Sequence, residues 1–208
     1  FYGDQSMAVL QADVVVVGGG LAGIVTALEL LRAGQRVVLI DRDTPARFGG
    51  LALWAFGGMA LVGTDLQAKM GIPDTPERAL NDWMRFGELD PQDEWPQQWA
   101  RYYVEHSRSE VYDWLKSEGI KFMPAVNWVE RGLNGDGNSL PRYRVVWGTS
   151  RELVRCLVAA LHRANRNARL TLLHRHQVTD LEHTDGKVSG VTAIDEQSGE
   201  TVRCSAPV

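Results

Sequence analysis

Six residues restrict this chain more than any others: Gly18-Gly19-Gly20-Leu21-Ala22-Gly23, set between four valines and a helical pattern. The valine run, Val14 to Val17 after Asp13, is short and β-branched, as expected of a strand buried on both faces. Leu21 to Ala33 follows as a helix, with Ile24, Leu28 and Leu31 at helical spacing and Gly34 where a left-handed residue ends it. Arg36 to Ile40 is a second strand closing on Asp41. Strand, tight turn, helix and strand within about thirty residues make a βαβ unit with a right-handed crossover.

The glycines have distinct physical tasks. In a G-x-G-x-x-G turn the first permits the tight bend and the second lets the backbone approach a pyrophosphate. The third lets the helix pack closely on the strand, and the helix amino terminus offers N–H groups to the anion. Asp41 falls about 20 residues on, where an acid accepts hydrogen bonds from ribose hydroxyls. A 2′-phosphate would be repelled there, which disfavours NADP. NAD and FAD both present a free diol, and this pattern does not separate them. The plain alternative is a sterically convenient turn beside a surface aspartate.

Residues 44–72 are glycine-rich and apolar without clean periodicity, which suits a loop laid against a ligand. Helices then dominate. Asp74-Thr75-Pro76-Glu77 is a helix start. Trp99, Tyr103, Val111, Trp114 and Leu115 line one face of a long helix that Gly119 should end. Six of the seven tryptophans fall between Trp83 and Trp147, which predicts an aromatic-rich core. Thr149 and Glu152 have capping-box spacing and open a helix carrying Leu153, Leu157, Val158 and Leu161. From Leu170 the period changes to two. A strand at Leu170 to Leu173 leads into a meander with turns at Asp185-Gly186 and Ser198-Gly199.

Composition excludes several classes. With 22 basic against 26 acidic residues the net charge is −4, and no basic stripe suggests nucleic acid. The longest apolar stretch, Val14 to Leu31, carries three glycines and Glu29, unlike a membrane span. No secretory leader is evident. Cys156 and Cys204 sit outside any motif and read as structural thiols in a reducing compartment, so a cytoplasmic location is expected. Phe1 to Ser6 precede a candidate initiator, Met7, and are set aside. The five histidines, His106, His162, His174, His176 and His183, show no metal-ligand spacing. His174 and His176 would share an exposed strand face.

Gly49-Gly50, six residues and Gly57-Gly58 (GGLALWAFGG) resemble the second flavin-contact loop of the fumarate reductase/succinate dehydrogenase flavoprotein family. The segments GIPDTPERALNDW, EWPQQWARYYVEHSRSEVYDWLKSEGIKFMP, NWVERG and GNSLPRYRVVWGT are similar to the bacterial FAD-binding dehydrogenases, relatives of the 3-ketosteroid Δ1-dehydrogenases. The resemblance covers about Ala12 to Val208 and implies FAD. By position, Gly18, Gly20 and Gly23, with Leu21 and Ala22 between them, would hold the pyrophosphate. Asp41 with its neighbour Arg42 would meet the adenosine ribose. Gly49, Gly50, Leu51, Gly57 and Gly58 would line the ribityl chain and ring, and the main chain of Val178 would meet adenine. Leu51 and Ala55 stand where relatives often carry a polar side chain. No histidine lies between Gly49 and Gly58, so non-covalent flavin is expected. Catalytic residues are not identified. Arg142, with Trp147, is the candidate for a substrate carboxylate or ketone, and equally an ion-pair partner of Asp136 or Glu130.

The expected fold is α/β: a Rossmann-type FAD-binding domain over 7–208 built on a parallel sheet, including a mainly helical insertion at 65–148 and an antiparallel meander. A capping domain is expected to lie beyond the chain, leaving this piece inactive and its hold on FAD reduced. The resemblance implies an FAD-dependent oxidoreductase acting on CH–CH groups by hydride transfer, in the sense of α,β-dehydrogenation or enone or enoate reduction. Its partners would be a small molecule, a steroid or an unsaturated acid, and an unidentified electron partner. An NAD-linked Rossmann enzyme and a non-catalytic nucleotide-binding module are the alternatives.

Overall fold

The computed structural model describes residues 8–123, 129–131, 137–165 and 167–207. Met7 with the residues before it, and Asp136, lie outside them. In chain order the elements are β1 (Ala8–Gln11), β2 (Val14–Val17), α1 (Leu21–Arg32), β3 (Val37–Asp41), β4 (Gly58–Ala60), α2 (Asp65–Lys69) and α3 (Pro76–Phe86). Then come α4 (Glu94–His106), a π-helical segment (Ser107–Asp113), α5 (Trp114–Ser117), β5 (Tyr143–Val145) and α6 (Thr149–Ala164). The chain ends in β6 (Leu170–His174), β7 (His176–Thr184), β8 (Lys187–Asp195) and β9 (Thr201–Ser205). It divides into a nucleotide-fold unit, residues 1–55 with 154–208, and a helical unit, 56–153. Among the described residues no helix is long and apolar enough to cross a membrane.

In the first unit β2, β3 and β6 form a parallel sheet in the order β2-β3-β6. The expectation that Val14 to Val17 is buried on both faces fails: Val17 is 55% exposed, because β2 is an edge strand among the described residues. Burial on both faces belongs to the central strand, where Val37, Val38, Leu39 and Ile40 are all at most 2% exposed. Val38 and Ile40 share a core with Val191, Ala193 and Cys204 of the meander. Alternation in a strand turns Val37 and Leu39 the other way. On α1, Ile24, Ala27, Leu28 and Leu31 are buried, the stripe its spacing predicts.

The meander turns where glycine allows: Asp185 and Gly186 both take positive φ, 52° and 76°, as a two-residue hairpin needs. One strand was not foreseen. β1 pairs in parallel with β9, Leu10 opposite Cys204, extending the meander to the order β1-β9-β8-β7. A second difference concerns the histidines. Arg175 takes φ 62° and breaks the chain between β6 and β7, so His174 and His176 belong to different sheets. Both cysteines are buried and outside any disulfide among the described residues, and burial pushes the Cys204 thiol up to about 11.

The helical unit departs most from expectation. Thr75 caps α3 as predicted, its side chain accepting from Arg78 N–H, with Pro76 at the first position. The capping box, however, is at Thr64 and Gln67, which open α2. Thr149 instead has φ 65° and accepts from Arg151 N–H at 3.4 Å. The long helix is interrupted by the π segment, which changes the phase of its buried face. Trp99 is therefore 69% exposed while Leu115 is buried. Nor do the tryptophans form a core: Trp83, Trp95, Trp99 and Trp147 are all exposed.

A buried charge network takes that place. Arg142 is 4% exposed, and its Nη2 and Nε donate to Asp74, each at 2.9 Å, while Nη1 donates to Asp82 at 2.6 Å. Asp82 also accepts from Ser139 N–H and Oγ at 2.8 and 2.7 Å. The ion-pair reading of Arg142 therefore describes the geometry, with Asp74 and Asp82 as its partners among the described residues, which do not include Asp136. The guanidinium is thus engaged at Nε, Nη1 and Nη2.

Truncating Leu161, fully buried on α6, should cost about 2–5 kcal/mol, read as a lower denaturation midpoint for Leu161→Ala. Acid should act through Asp82. Burial opposes its ionisation, but the Ser139 hydrogen bonds and the Arg142 charge outweigh that and hold its carboxyl below the usual range. The stability this provides is complete above the unfolded-state value of about 4 and is lost as pH falls towards the folded value. Denaturation followed by circular dichroism across pH should show that acid limb. Asp82→Asn should flatten it while costing on the order of 3 kcal/mol at neutral pH.

Candidate nucleotide site

The turn after β2 brings strand and helix together at bare backbone. Gly18 takes φ 100° and donates its N–H to Ile40 O at 2.8 Å, tying the turn to β3. Gly23 lies so close beneath it that a Cβ there would stand 1.9 Å from Gly18 O. In front of Gly20, by contrast, a Cβ would meet nothing within 4 Å. Gly20 is the N-cap of α1 and supplies no side chain to it. The first intrahelical bond runs from Ile24 N–H to Gly20 O at 3.0 Å. The N–H groups of Leu21, Ala22 and Gly23 precede it and have no intrahelical acceptor. They carry the positive end of the helix dipole, roughly half an elementary charge, at the turn whose Gly20 has open space before it. An anion of diphosphate shape suits that space.

Asp41 ends β3 and is aimed by two main-chain donors. Its Oδ2 accepts from Gly19 N–H at 2.5 Å and its Oδ1 from Asp43 N–H at 2.7 Å. Each oxygen keeps a lone pair for a hydroxyl. Arg42 turns away from this role, its guanidinium paired with Glu196 at 2.7 Å, and that pair raises its pKa.

The second glycine loop runs alongside the first. Gly49 N–H donates to Gly19 O at 2.9 Å, Gly20 and Gly49 form a parallel bridge, and Gly50 faces Gly20 Cα. Gly49 takes φ 113°, and a Cβ there would strike Val154. Leu51, 88% exposed, and Trp54, 70% exposed, then present apolar surface on a 3₁₀ turn. Exposed apolar side chains beside bare backbone suit a flat ring as cover. In the helical unit Gly57 accepts from Val146 N–H at 2.9 Å, and Gly58 leaves no room for a Cβ beside Tyr143.

Val178 lies on β7, the edge strand next to β8, rather than on the strand directly after α6. It packs on the core shared with Ile40, and the register shifts between Val178 and Asp180. An edge strand has main-chain groups that its sheet does not use.

Two participants were missed. Phe48 lies against Gly19, where a Cβ would come within 2.3 Å of its ring. His174 is the register partner of Asp41 and meets Phe48 edge-to-face at 5.0 Å. The alignment of Asp41 with His174 depends on pairing two distant strands, which no local pattern announces. Elsewhere, Arg142 forms part of the wall of a cavity of about 300 Å³ in the helical unit, among Val62, Trp83 and Tyr103. Burial raises the Tyr103 hydroxyl pKa. Among the described residues no three His, Cys, Asp or Glu side chains gather as a metal site.

The FAD binding domain family matches residues 13–208. A KsdD-like steroid dehydrogenase of Mycobacterium tuberculosis is 44% identical over 186 residues, 88% of this chain and 32% of that protein. A fumarate reductase (cytochrome) of Shewanella frigidimarina is 36% identical over 109 residues, 51% of this chain and 18% of that protein. Among solved structures, the 3-ketosteroid-Δ4-(5α)-dehydrogenase of Rhodococcus jostii, in complex with 4-androstene-3,17-dione, superimposes with a TM-score of 0.78 at 26% identity. That alignment covers 98% of this chain and 45% of the other. The chain spans about one third of the length of the curated steroid dehydrogenases it matches. With the bare-backbone seat and its oriented carboxylate in place, the chain belongs to the FAD-binding domain family of flavoprotein oxidoreductases, kin to steroid dehydrogenases and fumarate reductases.

Proposed function

We propose that the protein carrying this chain is an FAD-dependent dehydrogenase that oxidises, or in reverse forms, a CH–CH bond beside a carbonyl. The observation that carries this reading is the seat at the start of α1. Three N–H groups there have no intrahelical acceptor, the space in front of Gly20 is open, and the Asp41 carboxylate is held ready by Gly19 and Asp43. Leu21, Ala22 and Gly23 would take the diphosphate, Asp41 the ribose diol, and Gly49 and Gly50 the chain leading to the ring. The match to an FAD family sets aside the NAD-linked alternative. FAD would be held without a covalent bond, since the loop from Gly49 to Gly58 has no histidine.

Bound FAD would supply two-electron hydride chemistry that side chains lack. The residues of this chain position it and keep its anionic part on main-chain donors. Support for the substrate class comes from the relatives. Ketosteroid dehydrogenation and fumarate reduction are the same kind of bond change in opposite directions. A ketosteroid or an unsaturated acid is accordingly the proposed substrate, with proton transfer at the adjacent carbon.

Asp41→Ala should weaken FAD binding about 10- to 100-fold, read by quenching of flavin fluorescence on titration. Activity is tested in the polypeptide that adds the length these relatives have and this chain does not span. A 3-ketosteroid should reduce an artificial electron acceptor, or an enoate should be reduced by a chemical donor. Tight FAD binding with no turnover of ketosteroid, dicarboxylate or enoate would leave a nucleotide-binding module and end the enzyme reading.

A further inference from the structure

The nucleotide seat contains a buried polar atom with nothing to bond. Nδ1 of His174 has no hydrogen-bond partner among the described residues, although it is shielded from solvent. The residue's main-chain oxygen is engaged by Nδ1 of His176 at 2.7 Å. Buried side-chain nitrogens in native structures are nearly always satisfied by protein, water or ligand, so an orphan calls for a cause. The ring as a whole is only partly buried, which leaves it within reach of a ligand.

Its surroundings indicate which ligand. His174 closes β6 directly opposite Asp41, the residue that closes β3. Phe48 stands edge-on to the imidazole at 5.0 Å and touches Gly19, whose N–H aims the Asp41 carboxylate. Gly19, Asp41, Phe48 and His174 are thus one contiguous set at the carboxyl ends of the parallel strands, where open α/β sheets receive ligands. The ionisable groups that act on the ring are Asp41 from β3, His162 from α6 and His176 from β7. Burial, more than these neighbours, lowers the His174 pKa, with Asp41 acting the other way and His162 and His176 adding to the fall. A neutral imidazole carries one N–H donor.

A ribose hydroxyl that gives its proton to Asp41 has no donor for its own oxygen, because a carboxylate only accepts. We propose that His174 supplies that donor: its imidazole N–H bonds a ribose hydroxyl of the adenosine half of FAD while Asp41 takes the hydroxyl proton. The idea rests on the FAD reading above. It adds a side chain that selects for a sugar diol, and it explains why a histidine stands opposite the acid.

The test uses the chain as it stands, with ADP and FAD as ligands and calorimetric titration as readout. His174→Phe keeps a ring against Phe48 and should weaken both ligands about five- to tenfold. His174→Asn, whose amide can place an N–H near the lost Nδ1, should recover most of that. With 2′,3′-dideoxy-ADP the wild type and His174→Phe should bind alike, since the hydroxyls are gone. Adding ADP should also shift the His174 ring nitrogen resonances, a measurement that needs no variant to fold. Equal ADP affinity in wild type and His174→Phe, a loss that persists with the dideoxy ligand, or an unmoved imidazole spectrum would each overturn the proposal while leaving the seat intact. A wild-type chain that binds neither ADP nor FAD would sink the seat and this proposal with it.

Discussion

Gly23 pressed under the carbonyl of Gly18 is the contact on which the nucleotide unit depends. At that separation even a methyl group would force α1 away from β2, since a Cβ would fall 1.9 Å from the oxygen. Close approach brings the first turn of α1 level with the carboxyl ends of β2 and β3. It is therefore a packing contact, made beneath the ligand, that sets where the three N–H groups point. The same glycines that would bind the cofactor also hold strand and helix together, so stability and binding cannot be altered separately there.

No lysine or arginine lies in the first turn of α1, so what that turn offers an anion is its aligned peptide dipoles. Such attraction is directional and short-ranged, and a neighbouring carboxylate can coexist with it. Asp41 is held by hydrogen bonds from Gly19 and Asp43 and, among the described residues, by no ion pair. A cation at that point would neutralise the acid and weaken its grip on hydroxyls. Arg42, next along the chain, is instead paired with Glu196 at the turn between β8 and β9. The charges are thus arranged so that phosphate and sugar meet opposite local potentials only a few ångströms apart.

What the sequence revealed follows from how far each interaction reaches along the chain. The βαβ unit, the stop at Gly34, the cap at Thr75 and the hairpin at Asp185-Gly186 all rest on neighbours within a few residues. Each could be read directly. β1 could not, because Ala8–Gln11 becomes a strand only by pairing with Thr201–Ser205, almost the whole chain away. His174 was missed for a similar reason, since its meaning comes from lying opposite Asp41. The π segment defeated the helical wheel from Trp99 to Leu115. Periodicity assumes 3.6 residues per turn, and a local change in that number rotates everything after it.

The misplaced tryptophans point to a different way of making a core. In the helical unit the buried polar side chains include Arg142, Arg144 and Asp82, and Asp74 has no exposed side-chain surface. Two guanidiniums thus lie among the carboxylates of Asp74, Asp82 and the half-buried Glu130. Arg142 bonds both acids directly, whereas Arg144 is fully buried with Nε and Nη2 unbonded among the described residues. Burial lowers the Arg144 pKa, and the charges of Asp74 and Glu130 act across space to oppose that. A cluster of this kind tolerates little change in geometry, since each charge is supportable only while its counter-charge stays near. A buried ionic cluster therefore holds its members at set separations, and Trp95 and Trp99 lie on the surface of the unit, outside both that cluster and the apolar one of Val62, Ala79 and Val104.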